Sequence, residues 1–355
     1  MISGYVWKLI REQVGMTQFQ LAERLGVDVT TVQGWESGRR PLPAVSSGQM
    51  ARFRIRLIRA GAHPRLFSVL GDAFEADVVV DEAIACGDRV GNARHHPLSA
   101  TVHRRDLTNL ITWPLTGVMP TQLEIFNKPE PARRGPVASH PVLGAEERSR
   151  LFEHLLVIAD ARRADEDYLL RRQAIYLLAF DDDPRTKQWL TTEHTRAIRL
   201  AGRIDDIPSW IFVRSSAVAL TRSGDREPLL AFVAAGLSED DQEIANLNYW
   251  AYWVGEVGEV YTDDSFMGDP GARWNGIQLL EHLVERLHPS ADQFELYIHT
   301  LWRLLLARPN MFDRRPTLRN QAATRVGEAL DGAGLTVRAR RELSNIAYAI
   351  KIGDR

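Results

Sequence analysis

The tightest constraint on this chain is the segment from Met16 to Pro41, which reads MTQFQLAERLGVDVTTVQGWESGRRP. It carries start and stop signals for two short helices with almost no chain between them. Thr17 stands where an N-cap is needed and Gln20 follows three residues later, a capping box worth about 1 kcal/mol. Leu21, Ala22 and Leu25 share one face, and Ala22 is small enough to let a second helix cross closely. Gly26 supplies the left-handed residue that ends the first helix. Asp28 caps the next one, which begins at Val29 and turns Val32 and Trp35 inward. The pair is expected to pack through Leu21, Leu25, Val27, Val32 and Trp35 as two helices joined by a tight turn.

What this packing leaves outside is as informative as what it buries. The outward residues of the second helix are Val29, Thr30, Gln33 and Gly34, all short or amide-bearing and none charged. Such a face approaches base edges without electrostatic bias. Gln33 suits a bidentate contact to adenine, and Val29 or the Thr30 methyl suits a thymine methyl. The N-termini of both helices, with Gln18 nearby, are positioned to receive phosphates, and Arg39 and Arg40 follow within a turn to hold the DNA backbone.

The segment resembles the helix-turn-helix of Xre/Cro-like phage-repressor regulators. T-Q-x-x-L-A (Thr17 to Ala22), G-V-D-x-T-T-V (Gly26 to Val32) and W-E-S-G-R-R-P (Trp35 to Pro41) follow that pattern without a gap. The resemblance covers only the first 60 or so residues. It implies base contacts at Val29, Thr30, Gln33 and Gly34, phosphate contacts at Thr17, Gln18 and Ser37, and an ion pair between Arg11 and Glu36. Gly34 departs from the pattern, because many members carry a longer polar side chain there. Readout is therefore expected to lean on Gln33 and on DNA shape.

Charge agrees with a polyanionic partner for this part of the chain. Residues 1 to 70 hold ten basic and four acidic side chains, against 34 and 42 in the remaining 285 residues, so a small basic module is joined to a larger acidic body. Met50 to Arg59 alternates in a way that fits a strand, but Met50, Phe53, Leu57 and Ala60 also fit one helical face, and a helix with outward arginines is expected. Those arginines serve either phosphates or the acidic body.

Beyond this lies a helical stretch from Pro64 to Ala85, with Leu66, Leu70, Phe74 and Val78 four apart. Between Gly91 and Gly144 fall seven of the 17 prolines, which rules out long helices there. Asn127 to His140 reads as an exposed linker. From Ala145 helical periodicity dominates. An R-x-x-A-[IV]-x-L pattern occurs at Arg171 to Leu177 and at Arg214 to Leu220, and Arg319 to Ala322 echoes its start, a weak resemblance to HEAT/TPR-like helical repeats. The expected architecture is all-α: a DNA-binding module at 1–62, a connecting helix and Pro-rich segment at 63–144, and a solenoid-like helical domain at 145–355.

Other features that look like chemistry have structural readings. Asp181 to Asp183 before Pro184 is expected to cap a helix. Asp263 to Trp274 imitates a calcium loop but places Met267 and Trp274 at ligand positions. His282, Glu285 and His288 are expected on a solvated helix face. His95, His96 and His103 lie in a proline-bounded loop without an assured partner. Cys86, the only cysteine, cannot form an intramolecular disulfide. H-E-x-x-H, G-x-S-x-G, G-x-x-x-x-G-K and G-x-G-x-x-G do not occur, so no enzyme activity, metal or cofactor is expected. The rings between Tyr249 and Trp253 fill helix interfaces, or else Tyr249 and Trp253 with Trp302 line an effector groove.

The expected partner is thus double-stranded operator DNA, bound by a cytoplasmic homodimer with no membrane segment and with a small-molecule or peptide effector as an option. An interaction adaptor and a peptide-sensing regulator of the quorum type are the rival readings.

Overall fold

The computed structural model describes residues 1–87, 96–126, 140–161, 168–201, 206–258, 261, 263–313, 315–332 and 334–352. His95 and all of the expected linker from Asn127 to His140 except His140 itself lie outside them. Among the described residues there are helices and no strands, and the chain divides into two compact units, Met1–Phe180 and Asp181–Arg355. No described helix is long and apolar enough to cross a membrane.

The first unit comprises α1 (Ile2–Gln13), α2 (Gln18–Leu25), α3 (Val29–Glu36), α4 (Ser47–Arg59), α5 (Pro64–Cys86), α6 (Arg105–Thr116), α7 (Thr121–Glu124), α8 (Ala145–Ala161) and α9 (Tyr168–Leu178). Met50 to Arg59 is helical, burying Phe53 and Leu57 as expected. One of its arginines has a use the sequence did not disclose. Arg56 Nη1 donates to the carbonyls of Arg24 (3.2 Å) and Leu25 (2.7 Å), satisfying acceptors left open at the end of α2.

The spine of this unit is α5, which packs against α1, α6 and α8. It covers the helical stretch expected from Pro64 to Ala85, but the four residues spaced four apart do not all face the core. Leu66 and Leu70 are buried, Phe74 is half-buried, and Val78 is exposed. Steps of four residues advance by 400° on a helix of 100° per residue, so such a stripe creeps 40° per step out of the core. Ala73, Ala76, Val80 and Ala83 take over on mixed three- and four-residue spacing.

The second unit comprises α10 (Pro184–Ala201), α11 (Ile207–Arg222), α12 (Glu227–Ala235), α13 (Asp240–Val254), α14 (Ile277–Arg286), α15 (Phe294–Ala307), α16 (Pro316–Asp331) and α17 (Val337–Ile352). It is organised around α15, which packs on α12, α13, α14 and α17 and completely buries Leu296, Ile298, Leu301 and Leu304. The two R-x-x-A-[IV]-x-L copies fall on α9 and α11, one in each unit. Asp183 accepts the Arg185 N–H at 2.8 Å beneath the first turn of α10, the capping role expected ahead of Pro184.

Candidate nucleic-acid interface

The geometry of α2 and α3 follows from local hydrogen bonds. Thr17 Oγ1 accepts the Gln20 N–H at 3.2 Å and Gln20 Oε1 accepts the Thr17 N–H at 2.9 Å, closing the capping box. Gly26 has φ 73°, a conformation that L side chains rarely adopt. Asp28 Oδ1 then accepts from both the N–H (2.7 Å) and the hydroxyl (2.5 Å) of Thr30. These two bonds, the hydroxyl's first, hold the Asp28 carboxyl below its ordinary pKa, and the more distant Arg40 charge acts in the same direction.

Packing fixes which side of α3 faces out. Val32 and Trp35 are buried, and the Trp35 ring meets Trp7 edge-on at 6.0 Å and Phe53 at 5.9 Å. Gly4 lets α1 touch the end of α3, since a Cβ there would lie 2.2 Å from the Trp35 carbonyl oxygen. A second clamp is ionic. Arg11 Nε and Nη2 reach the two Glu36 carboxylate oxygens at 2.6 and 3.0 Å, while Gln18 Nε2 donates to Glu36 Oε2 at 2.8 Å. Burial alone would lower the Arg11 pKa, but the hydrogen bonds and charge of Glu36 overcome it and raise it. This is the ion pair implied by the resemblance. Arg11→Ala is expected to cost about 2 kcal/mol, below the range for fully buried pairs because Gln18 still serves Glu36. Thermal unfolding that matches wild type would contradict that figure.

Thr30 and Gln33 are exposed and Val29 is half-buried on the outward flank. The Thr30 hydroxyl is already committed to Asp28, so its methyl is what remains to meet a base. Gly34 is buried, although it lies on the same row as Thr30, because the Arg40 side chain is laid across it. The sequence-assigned phosphate residues sit around this face with local partners of their own. Thr17 is exposed at the α2 cap and Gln18 is tethered to Glu36. Ser37 Oγ donates to the Gly34 carbonyl (3.3 Å) and accepts from Arg39 Nε (3.1 Å), and Arg39 and Arg40 are both exposed.

The attachment of α1 is a feature that sequence reasoning missed. Asp77 of α5 is only 4% exposed, and its carboxylate accepts the N–H groups of Ile2 (2.7 Å) and Ser3 (3.2 Å) and the Ser3 hydroxyl (2.5 Å). The available signal was an acid among the apolar residues of α5.

Of the residues expected at an effector groove, Tyr249 and Trp253 on α13 are half-buried with rings 5.9 Å apart, and Trp302 on α15 is half-buried. The Arg214 guanidinium stacks on Tyr249 at 3.9 Å. His282 is not on a solvated face: its ring packs against Trp250 (5.5 Å) and Tyr297 (6.0 Å), and burial pushes its pKa down to about 4. His96 Nε2 lies 3.0 Å from His154 Nε2 in a buried pair. Among the described residues no group of three or more His, Cys, Asp or Glu side chains is placed to hold a metal ion.

A capped two-helix unit with an uncharged outward face and a basic turn behind it is the form of a DNA-binding helix-turn-helix domain. Residues 8–47 match the model of the family described as Helix-turn-helix, and this segment is a domain of the Xre/Cro-like kind found in DNA-binding transcription regulators. No curated protein and no solved structure matches the chain significantly.

Proposed function

We propose that the protein is a sequence-specific transcription regulator that inserts α3 into the major groove of operator DNA. The observation that carries this reading is the solvent-facing row of Thr30 and Gln33, held outward by the buried Val32 and Trp35. In this arrangement Gln33 reads an adenine edge, while Thr30 and Val29 meet thymine methyls. Thr17, Gln18, Ser37 and Arg39 contact phosphates and set the register of α3. One short helix reads too few bases for genomic specificity, so the protein binds as a homodimer on half-sites about one helical turn apart. The helical remainder supplies dimerisation, with effector sensing at Tyr249 and Trp253 as its second role. The site of action is the cytoplasm.

Selection of bound sequences from a random duplex pool at physiological salt tests the reading. The expected result is a two-fold symmetric motif. Gln33→Ala should reduce preference at one or two base pairs by roughly tenfold, whereas Arg39→Ala should weaken all sequences alike and lower the salt slope by about 0.9 for the phosphate lost. Equal effects of both variants on selected and random DNA would refute these roles. A motif without symmetry would refute the dimer.

A further inference from the structure

We propose that Arg40, reaching back over the bare backbone of Gly34, is the third base-reading group of the α3 face and selects a guanine. The proposal rests on α3 lying in the major groove. It also changes the role the sequence assigns to Arg40, which was that of a phosphate anchor.

Gly34 is one turn beyond Thr30, so the two positions lie one above the other on the same face of α3. A Cβ at Gly34 would fall 2.9 Å from Arg40 Cδ, 3.0 Å from Cγ and 3.3 Å from Cβ. The arginine stem therefore lies flat against the helix where another residue would place its own side chain. Its origin is pinned, because the Arg40 N–H donates to the Gly34 carbonyl at 3.0 Å. Its far end is pinned as well, with Nη1 donating to Thr31 Oγ1 at 2.8 Å. Between these two bonds the side chain runs from residue 34 toward residue 31, back along the helix toward its N-terminus, the end that meets base edges when a recognition helix docks.

A phosphate anchor has no need of this path. Arg39, the neighbouring arginine, takes none of it: its Nε bonds Ser37 Oγ within the turn. The Arg40 guanidinium carries five N–H donors in a planar fork, and the Thr31 hydroxyl accepts from one nitrogen only. The remaining donors match the paired acceptors O6 and N7 of guanine. Adenine offers N7 beside a donor amino group, so the same fork discriminates against it. Glycine at 34 is required here for space, not for an unusual backbone angle. This gives a physical sense to the departure from the family pattern: the side chain missing at 34 is replaced by one delivered from the turn.

The test compares motifs selected from a random duplex pool by wild type, Arg40→Ala, Arg39→Ala and Gly34→Ala, all as the full chain, with circular dichroism and thermal melting to show that each variant is folded. The wild-type motif is expected to hold a guanine in each half-site. Arg40→Ala should lose that guanine, falling to near-equal use of the four bases there while keeping the other positions, and should bind the wild-type site at least tenfold more weakly. Gly34→Ala keeps every charge but puts a methyl group where the arginine stem lies, so it should lose the same guanine. Arg39→Ala should keep the motif and lose affinity for every sequence. If Arg40→Ala keeps the guanine and behaves as Arg39→Ala does, Arg40 is a phosphate anchor and the proposal is overturned. An unchanged motif in Gly34→Ala overturns the backbone-laid path. Failure of the wild type to select any motif overturns major-groove reading itself, and the assignment of Arg40 with it, a result distinct from a motif that merely ignores residue 40.

Discussion

Asp77→Ala is expected to lower the stability of the N-terminal unit by about 3 kcal/mol, a fall of roughly 6–12 °C in the transition contributed by residues 1–180 in calorimetry of the full chain. No side chain local to α1 caps its first turn, so the open donors there depend on a residue 75 positions away. One buried carboxylate takes the Ile2 N–H, the Ser3 N–H and the Ser3 hydroxyl. A hydrogen bond to a charged group contributes about 1.5–3 kcal/mol and an ordinary N-cap about 1. The three bonds share one acceptor group, so their contributions do not simply add. Negative charge at a helix N-terminus adds a favourable dipole interaction. Asp77→Asn keeps one acceptor oxygen and should lose about half as much.

The functional consequence is indirect and measurable. Gly4, Trp7 and Arg11 all lie on α1, and all three support α3. A loosened α1 should weaken DNA binding without changing which bases are preferred, since Thr30 and Gln33 are untouched. A loss below 1 kcal/mol in Asp77→Ala would show that α1 is held by its apolar face alone, through Val6, Trp7 and Ile10.

The contrast between Asp77 and Thr17 shows which parts of this protein were legible in its sequence. Thr17 with Gln20, Gly26, and Asp28 with Thr30 act over two or three residues, so the capping and turn geometry of α2 and α3 could be read from spacing alone, as could the inward set Leu21, Leu25, Val32 and Trp35. Asp77 acts on residues 74 and 75 positions earlier, and Gly4 is needed by a carbonyl 31 positions later. Neither leaves a local pattern. Arg40 lies between these cases. Its basic character was visible, but its direction depends on the absence of a side chain six residues upstream. The three-residue spacing that His282 shares with Glu285 and His288 carries no sign of its burial, because its partners Trp250 and Tyr297 come from two other helices. The rings of α13 divide as their wrapping around the helix implies: Trp250 and Tyr252 are buried, Tyr249 and Trp253 half-buried.

Long-range polar contacts carry the second large effect as well. His299→Ala is expected to lower the stability of the C-terminal unit by about 4 kcal/mol, in the range for breaking a buried charge network by removing one member. His299 is 1% exposed on α15, with Nε2 2.9 Å from Glu243 of α13 and Nδ1 2.9 Å from Glu342 of α17. Both ring nitrogens therefore face carboxylate oxygens, which only the doubly protonated ring satisfies by donating twice. Arg303 Nε reaches Glu243 at 3.2 Å and Arg338 Nε reaches Glu342 at 3.0 Å, completing a chain of alternating charge across three helices. Burial alone would depress the His299 pKa, but the hydrogen bonds and charges of Glu243 and Glu342 overcome it and raise it. Burial likewise opposes ionisation of Glu342, and His299 and Arg338 reverse that effect, so its pKa falls. The two shifts act at opposite ends of the pH scale. A raised folded-state pKa for His299 means that its contribution is complete below the unfolded value of about 6.5 and is lost as pH rises through the folded value, at no more than about 1.4 kcal/mol per pH unit. The Glu342 contribution is complete above its unfolded value of about 4.5 and is lost as pH falls through its lower folded value. Below about pH 6.5 the buried His282 and His194, whose pKa values are lowered, cost stability because they take up a proton more readily when unfolded. Denaturant unfolding of the C-terminal unit should accordingly show greatest stability near pH 6.5, with a decline toward pH 9 that His299→Gln removes. A wild-type profile that is flat from pH 6 to 9 would mean that the ring is neutral in the fold, and that Arg338, whose Nη2 lies 3.1 Å from Nδ1, donates to it in place of the proton assigned here.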